Sequence, residues 1–257
     1  LVIQEEFQNA LQVRSKLDLR CDKYPDLTDS LRYYSGWSAY REKQLMRASR
    51  ELKNVSVTSP FYFKSRCFAA FCDAYEGEYD LAIRTLAETD IESQSEMGTS
   101  LLYYQLSGNY LLKRDFSAFD SVFSRVDTTT FLLSQGAQKL GFYKSELLGV
   151  KRKSPLLAGV MSAVIPGSGK FYAGYRGQAI AAAIPCFLLG AVATESLIKA
   201  GPRSPQFIIF ASLFSVYYVG NIWGSVISVR TYREQRYNEI DHGILVNMHI
   251  PIRRFFD

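Results

Sequence analysis

The sequence predicts an all-α protein in which a solenoid of helix pairs is followed by a transmembrane helical hairpin. Two observations carry this prediction. Small and apolar residues recur at a fixed spacing over residues 29–126, and residues 155–228 have nearly the composition of a membrane protein. We therefore expect a helical repeat domain over residues 1–150, a membrane hairpin with a re-entrant or interfacial segment over 151–235, and a C-terminal tail over 236–257.

The repeat consists of a small residue, an alanine or phenylalanine twelve positions on, and a leucine or phenylalanine four positions further. Its three occurrences are Gly36, Ala48, Leu52; Ala70, Ala82, Leu86; and Ser107, Phe119, Phe123. The second follows the first by 34 residues and the third follows the second by 37. Small residues are needed where the two helices of a pair approach closely. Residues 1–24 and 131–149 are also helical in period and are expected to cap the two ends.

These units resemble the tetratricopeptide repeat, which is built from two antiparallel helices joined by a tight turn. The stretch FCDAYEGEYDLAIRTLAE matches best, with Gly77 and Tyr79 at the turn, and the third unit places Phe116 after its turn. Phe119 departs from the family pattern, since alanine is usual there. The resemblance covers residues 29–126 and implies an all-helical solenoid.

The family resemblance also implies that the inner surface of the solenoid binds a peptide or a partner protein. The candidate residues for this contact are Tyr33, Tyr34, Tyr40, Tyr103 and Tyr104. The alternative is that these tyrosines only pack within the repeats or at their rim.

Two apolar runs predict the membrane hairpin. Residues 207–228 are 22 positions without a formal charge, enough to cross a hydrocarbon core of about 30 Å at about 1.5 Å per residue. Residues 178–198 are uncharged until Glu195, and the polar stretch KAGPRSP separates the two runs. The alternative is a buried helical hairpin of a soluble protein.

The stretch IPGSGKFYAGYRGQ, residues 165–178, superficially resembles a phosphate-binding loop. A Walker A loop, G-x-x-x-x-G-K-[ST], needs a glycine where this chain has Val164 and a serine or threonine where it has Phe171. The dinucleotide pattern G-x-G-x-x-G fails as well, because Tyr172 replaces its last glycine. We therefore expect no nucleotide and no other cofactor.

The same glycines suit a turn at a bilayer. Residues 155–165 are apolar but too short to cross it, so we interpret them as a re-entrant or interfacial segment that ends at Pro166. Gly167 and Gly169 permit a sharp turn and a close approach of helices. The side chains expected at the lipid headgroups or the interface are Lys170, Arg176, Tyr172 and Tyr175.

A second family resemblance rests on this element. Its residues are Pro166, Gly167, Gly169, Tyr172 and Gly174. The element resembles the PGxGxxYxG-type opening of small two-helix membrane hairpin domains, and the resemblance covers roughly residues 152–235. The stretch GNIWGS, residues 220–225, resembles the N-x-[YW]-G-S pattern of bacterial envelope proteins that combine such a hairpin with tetratricopeptide repeats. The resemblance implies membrane placement and leaves the molecular role open.

Asn221 is a polar residue inside the second apolar run. An amide within a membrane requires a hydrogen-bond partner. We expect Asn221 to bond the backbone near Gly167–Gly169 and so to hold the re-entrant turn against the second span. The alternative is a helix–helix contact without a functional role.

Charge and reactive residues argue against several other classes of protein. The formal net charge of +5 comes from basic clusters beside the apolar runs, without the basic stripe and module expected of a nucleic-acid-binding protein. The four cysteines are Cys21, Cys67, Cys72 and Cys186. They lack metal-ligand spacing and are expected to pack in the core. The two histidines, His242 and His249, support neither a zinc site nor a triad. We expect a protein that is not an enzyme and has no catalytic or metal-binding residue.

The basic residues and the family resemblance disagree about topology. Basic residues flank the hairpin on both outer sides, and the positive-inside rule would place the repeats and the tail in the cytoplasm. The resemblance to bacterial envelope proteins implies a repeat domain on the periplasmic side. We expect the periplasmic orientation, with the cytoplasmic one left open.

The sequence thus predicts a membrane-anchored adaptor in a bacterial cell envelope, with other envelope membrane proteins and the lipid bilayer as partners. Its expected setting is a complex for membrane-protein insertion or outer-membrane protein assembly. The alternative is a subunit of an oligomeric membrane channel or transporter. The stretch ILVNMHIPI, residues 244–252, has β-like composition, and we expect it either to add a strand to a partner's sheet or to pack loosely.

Overall fold

The computed structural model describes residues 2, 6–16, 25–91 and 94–256. Throughout this part of the chain the regular secondary structure is helical, so the all-α prediction is confirmed. The chain divides into two compact units, the first formed by residues 1–148 together with 240–257 and the second by residues 149–239.

Twelve helices are formed in the described part of the chain. They are α1 (Phe7–Lys16), α2 (Pro25–Arg41), α3 (Leu45–Lys53), α4 (Tyr62–Tyr75), α5 (Tyr79–Ala87), α6 (Glu96–Lys113), α7 (Phe116–Phe123), α8 (Phe131–Gly149), α9 (Pro155–Val164), α10 (Ser168–Ala173), α11 (Arg176–Ala200) and α12 (Pro205–Phe256). Helix α1 lies within the expected N-terminal cap, and most of the remainder of that cap, with Cys21, lies outside the described residues.

The first unit contains three successive helix pairs, α2/α3, α4/α5 and α6/α7, in which each helix packs against the next along the chain. One left-handed residue turns the chain within each pair: Lys43, Gly77 and Arg114. At each turn this residue's N–H bonds the carbonyl three positions back, and the next N–H bonds the carbonyl five positions back, at 2.8–2.9 Å. This is the Schellman pattern. The three turns stand 34 and 37 residues apart, the spacing that the sequence repeat predicts.

The residues of the sequence repeat lie between the helices of each pair. Eight of the nine positions are buried, and Phe123 is partly exposed. At Gly36, an added Cβ would lie 2.6 Å from Leu52 Cγ, so the pair α2/α3 closes only because residue 36 has no side chain. The need for a small residue at this position is therefore confirmed.

The C-terminal segment of α12, residues 240–256, belongs to the first unit. Ile240, Ile244, Met248 and Ile252 follow one another at intervals of four and are all buried, as expected for one face of a helix. The expectation of a strand or a loosely packed tail for residues 244–252 was wrong. Of the β-branched residues in this stretch, Ile244 and Ile252 lie on the buried helical face, whereas Val246 and Ile250 are exposed. Packing of the buried face against the first unit overrides the local preference for strand.

The second unit contains α9, α10, α11 and the first part of α12. Ser154 caps α9 by accepting a hydrogen bond from Leu157 N, and Pro155 occupies its first turn. Helix α9 ends because Ile165 precedes Pro166 and is extended, with φ −130° and ψ 110°. The two long helices, α11 and α12, contain the two apolar runs that the sequence predicts as spans.

Candidate functional site

Two sites of the molecule carry the predicted functional residues, one in each unit. In the first unit, helices α2, α4, α6 and α8 all contact the C-terminal segment of α12. We call the surface that these four helices offer the groove. Helices α2, α4 and α6 are the first helices of the three pairs, and the groove includes Tyr40 and Tyr104, two of the residues for which the family resemblance implies partner binding.

A proline in the C-terminal segment determines the polar contacts of the groove. Pro251 lies inside α12 and has no N–H, so the carbonyl of Asn247, four residues earlier, lacks its helical donor. The Tyr104 hydroxyl donates a hydrogen bond to this carbonyl at 3.0 Å, and Gln105 Nε2 donates to the next carbonyl, that of Met248, at 2.8 Å. Burial raises the pKa of the Tyr104 phenol, which keeps it a donor at neutral pH.

Glycines allow the helices to approach closely at the centre of the groove. A side chain at Gly108 would collide with Met248, and one at Gly136 would place its Cβ 2.5 Å from the Tyr104 hydroxyl oxygen. The C-terminal segment also donates a hydrogen bond to the groove, from Asn247 Nδ2 to the Gly136 carbonyl of α8 at 2.8 Å. The middle of the segment is thus held by apolar contact and by hydrogen bonds in both directions.

The two ends of the C-terminal segment are held by different chemistry. At its start, Arg114 pairs with Asp241 through two N–O contacts of 2.8 Å each. Towards its end, His249 stacks on Phe71 with ring centroids 4.5 Å apart and is hydrogen-bonded to the Tyr40 hydroxyl. Lys64 Nζ donates to the last described carbonyl, that of Phe256, at 3.3 Å.

The five predicted partner tyrosines have different surroundings. Tyr40 and Tyr104 contact the C-terminal segment, as described above. Tyr33 is buried and stacks on Phe61 at 4.3 Å, and the Tyr103 ring lies under the Arg125 guanidinium at 5.5 Å. Tyr34 is 41% exposed. The structure therefore brings two of the five to the groove, where the chain's own helix contacts them.

The second site is the turn between α9 and α10, which we call the membrane turn. Asn221 Oδ1 accepts a hydrogen bond from Gly167 N at 3.1 Å, and Asn221 Nδ2 donates to the Ser162 carbonyl at 3.3 Å. Asn221 is buried. The predicted hydrogen bond between Asn221 and the glycine-bearing backbone is therefore confirmed.

A chain of buried hydroxyls continues this network. Gly169 N donates to Ser162 Oγ at 2.9 Å, Ser162 Oγ lies 2.7 Å from Ser225 Oγ, and the Ser225 hydroxyl donates to its own helix at Asn221 O, at 2.8 Å. Because the Ser225 proton is used on Asn221 O, Ser162 is the donor between the two serines. The backbone N–H groups of Gly167 and Gly169 are thus satisfied by side chains.

At each glycine of the PGxGxxYxG-type element, backbone conformation or close packing requires a residue without a side chain. Gly167 (φ 89°) and Gly174 (φ 113°) are left-handed and flank α10 at its two ends. A Cβ at Gly169 would collide with the Ala158 carbonyl of α9, so this position needs glycine for the close approach of two helices. Pro166 stands before the turn and ends α9, as its position in the motif predicts.

The polar side chains around the membrane turn are mostly engaged. Lys153 Nζ donates to the Ala173 carbonyl at 3.0 Å and lies over the Tyr232 ring, 4.8 Å from its centroid. The Tyr172 hydroxyl accepts a hydrogen bond from Ser154 N at 3.3 Å. Lys170 lies against Gly224 of α12, where a Cβ would be 3.3 Å from Lys170 Cε. The structure thus places Lys170 beside the second apolar helix.

The cysteines follow the core prediction where they are described. Cys67, Cys72 and Cys186 are free and buried. Burial raises the pKa of the Cys67 and Cys72 thiols, which disfavours the reactive thiolate. Within the described residues, His, Cys, Asp and Glu side chains form no group of three that could hold a metal ion.

No family model matches this chain, and neither a curated protein nor a solved structure is significantly similar to it. The tetratricopeptide and membrane-hairpin resemblances therefore stay predictions.

Sequence reasoning missed the residues that bind the C-terminal segment. Gln105, Gly108 and Gly136 could not be recognised from the sequence, because each contacts a residue more than 100 positions away. The available signal lay in the segment itself, where four apolar residues recur at intervals of four around a single asparagine. This pattern predicts an amphipathic helix, and the β-branched composition concealed it.

Proposed function

We propose that this chain is a non-catalytic, membrane-anchored adaptor, whose helix pairs bind a partner protein and whose hairpin fixes the chain at a bilayer. The observation that carries the proposal is the amphipathic helix held in the groove. A surface that accommodates residues 240–256 of its own chain has the shape and chemistry for a helix, and an apolar helix face in a hydrophobic groove is a common mode of protein recognition.

Membrane anchoring is supported by length, composition and exposure. Helices α11 and α12 are long and apolar enough to cross a bilayer. Of their most apolar 18-residue windows, only 11% and 6% respectively are buried inside the protein. A core helix of a soluble protein would be mostly buried, whereas large apolar side chains such as Ile198 and Trp223 are exposed here. A lipid environment accounts for this exposure.

The partner would bind as a helix in place of residues 240–256. The groove recognises features that are not unique to one sequence: backbone carbonyls, through Tyr104 and Gln105, and an apolar stripe at intervals of four residues. An amphipathic helix with this stripe and an internal proline offers the same contacts. In the absence of such a partner, the C-terminal segment occupies the groove.

The bacterial envelope is the setting that the hairpin element and the GNIWGS stretch support by resemblance. We place the repeats on the periplasmic side and the chain in a complex that inserts membrane proteins or assembles outer-membrane proteins, with other envelope membrane proteins as partners. Protease added to intact spheroplasts should then digest the first unit. Protection of that unit until the cells are lysed would contradict the periplasmic orientation.

The adaptor function is tested by affinity purification of the full chain in mild detergent. We expect distinct partner proteins to copurify, and more of them with Met248→Ala, because truncating this buried side chain weakens the segment by about 2–4 kcal/mol. Val246→Ala is the matched control, since Val246 lies on the same segment but is exposed. Recovery of a homo-oligomer alone would favour the channel or transporter alternative. Equal recovery with both variants would contradict exchange in the groove.

A further inference from the structure

We propose that a cleft between α11 and α12 binds one anionic phospholipid, with Lys170 paired to the lipid phosphate. The proposal rests on the membrane anchoring proposed above and names a ligand of the hairpin itself. It concerns the second unit alone.

The cleft has a volume of about 490 Å³ and is lined by residues of α11 and α12, together with Lys170 of α10. Its floor consists of small or apolar residues of both helices, Ala181, Ala182, Val216 and Gly220. Four polar residues line the same space, namely Lys170, Gln178, Tyr217 and Asn221, and the Asn221 amide is already engaged at the membrane turn. A cleft of this size with an apolar floor and a few polar groups has the features of a small-ligand site.

Lys170 is the charged group of the cleft, and its counter-charge is missing from the described residues. Its ammonium has no hydrogen-bond or ion-pair partner there. The contrast with Lys153 is instructive, because Lys153 at the same turn bonds a carbonyl and lies against two tyrosine rings. A cation beside apolar helices is costly without a counter-ion. The cleft therefore calls for an anion next to Lys170.

A second polar feature favours a headgroup that carries hydroxyls. Ala181 lines the cleft, and residue 185 of the same helix is proline. The Ala181 carbonyl therefore lacks its helical N–H donor, and we propose that a hydroxyl of the ligand supplies one. Gln178 adds an amide that can both donate and accept. Phosphate beside Lys170 and a hydroxyl at the carbonyl together fit a headgroup of the phosphatidylglycerol type.

The apolar floor distinguishes a lipid from a free anion. Inorganic phosphate would satisfy Lys170 but would leave the surface of Ala182 and Val216 uncovered. A phospholipid supplies both the phosphate and an acyl chain that covers apolar surface. We therefore commit to the lipid as the source of the phosphate.

Native mass spectrometry of the full chain in detergent tests the proposal. With equal amounts of phosphatidylglycerol and phosphatidylcholine added, we expect one phosphatidylglycerol to be retained preferentially, and Lys170→Gln to reduce its retention about tenfold. Lys151→Gln is the matched control, since Lys151 is an exposed lysine outside the cleft and its loss should leave retention unchanged. No preference between the lipids, or unchanged retention in Lys170→Gln, would overturn the proposal.

A second variant keeps the charge and fills the cleft. Gly220 lines it, and a Cβ there meets no atom within 4 Å, so Gly220→Leu should fold and yet exclude the lipid. If Lys170→Gln fails to fold, retention of phosphatidylglycerol by Gly220→Leu tests the proposal instead, and unchanged retention would overturn it. Thermal stabilisation by sodium phosphate that depends on Lys170, without a lipid adduct, would identify a free anion and overturn the lipid assignment. Failure of anchoring itself would be seen separately, as release of the chain from membranes by alkaline carbonate.

Discussion

In the groove and at the membrane turn, a side chain from elsewhere in the chain supplies the hydrogen-bond partner that a backbone group lacks. It is a donor in the groove and an acceptor at the membrane turn. In the groove, Pro251 leaves a backbone acceptor without a donor, and Tyr104 of another helix supplies the donor. At the membrane turn, the end of α9 leaves a backbone donor at Gly167 without an acceptor, and Asn221 of another helix supplies the acceptor. In both regions a side chain from a distant part of the chain completes an interrupted helix, which ties local backbone geometry to tertiary packing.

The difference between the two regions lies in what surrounds them. The groove is enclosed by protein, with aromatic rings and a two-point ion pair at its ends. The membrane turn is contacted by α9, α10, α11 and α12, and the apolar surface beyond it is exposed. A broken contact in the groove can be relieved by water after local opening. In the bilayer that we propose around the membrane turn, lipid would offer no such partner, so its network would have to be complete within the protein.

The largest effect is expected from Gly169→Ala. The added Cβ would meet the Ala158 carbonyl, a backbone atom that cannot move without displacing α9, so we expect destabilisation of about 3 kcal/mol or more. The matched control is Gly177→Ala, where the new Cβ meets no atom within 4 Å. Thermal unfolding in detergent is the measurement. Equal midpoints for the two variants would show that stability does not depend on the close approach of α10 to α9 at Gly169.

Next in size is the loss of the donor in the groove. Tyr104→Phe leaves the buried Asn247 carbonyl without a partner and should cost about 1–3 kcal/mol. Pro251→Ala restores a helical N–H to the same carbonyl, so Tyr104→Phe should cost clearly less in the Pro251→Ala background. A double-mutant cycle from denaturant unfolding measures this coupling. Additive effects of the two substitutions would contradict the role assigned to Tyr104.

Asn221→Leu tests the corresponding acceptor at the membrane turn. It removes two hydrogen bonds, and since polar contacts between membrane helices are worth about 1 kcal/mol each, we expect a loss of about 1–2 kcal/mol. Ser212→Leu, at an exposed position of the same helix, is the matched control. The thermal midpoint in detergent should fall for the first variant only. An unchanged midpoint for Asn221→Leu would show that the turn does not depend on this amide.

The two regions also differ in how far the sequence predicts them. Asn221 stands out as an amide within an uncharged apolar run, so its need for a backbone partner follows from chemistry, and the glycines of a nearby turn supply one. Tyr104 is one of 17 tyrosines, and its role depends on Pro251, almost 150 positions later. Local pattern reveals helix pairs, turns and apolar spans. It does not reveal which helix fills a groove, because that depends on contacts between distant residues.

The smallest effect is expected at an exposed turn, because water can replace the side-chain hydrogen bonds there. Before α8, the Asp127 carboxylate accepts hydrogen bonds from Thr129 N, at 2.9 Å, and from the hydroxyls of Thr129 and Thr130, at 2.6 Å each. The hydroxyl and backbone donors lower the pKa of Asp127 from 3.8 to about 2. A carboxyl whose pKa is lowered by folding stabilises the folded state at pH values above its pKa in the unfolded chain. This stabilisation is lost as the pH falls through its pKa in the folded chain. Thr129→Val should therefore raise this pKa and lower the thermal midpoint slightly at pH 7, with the difference vanishing below pH about 2. Thr129→Ser keeps the hydroxyl and should change neither the pKa nor the midpoint. A carboxyl titration followed by NMR measures the shift, and an Asp127 pKa near 3.8 in the unsubstituted chain would show that exposed turns lack the backbone control found in the groove and at the membrane turn.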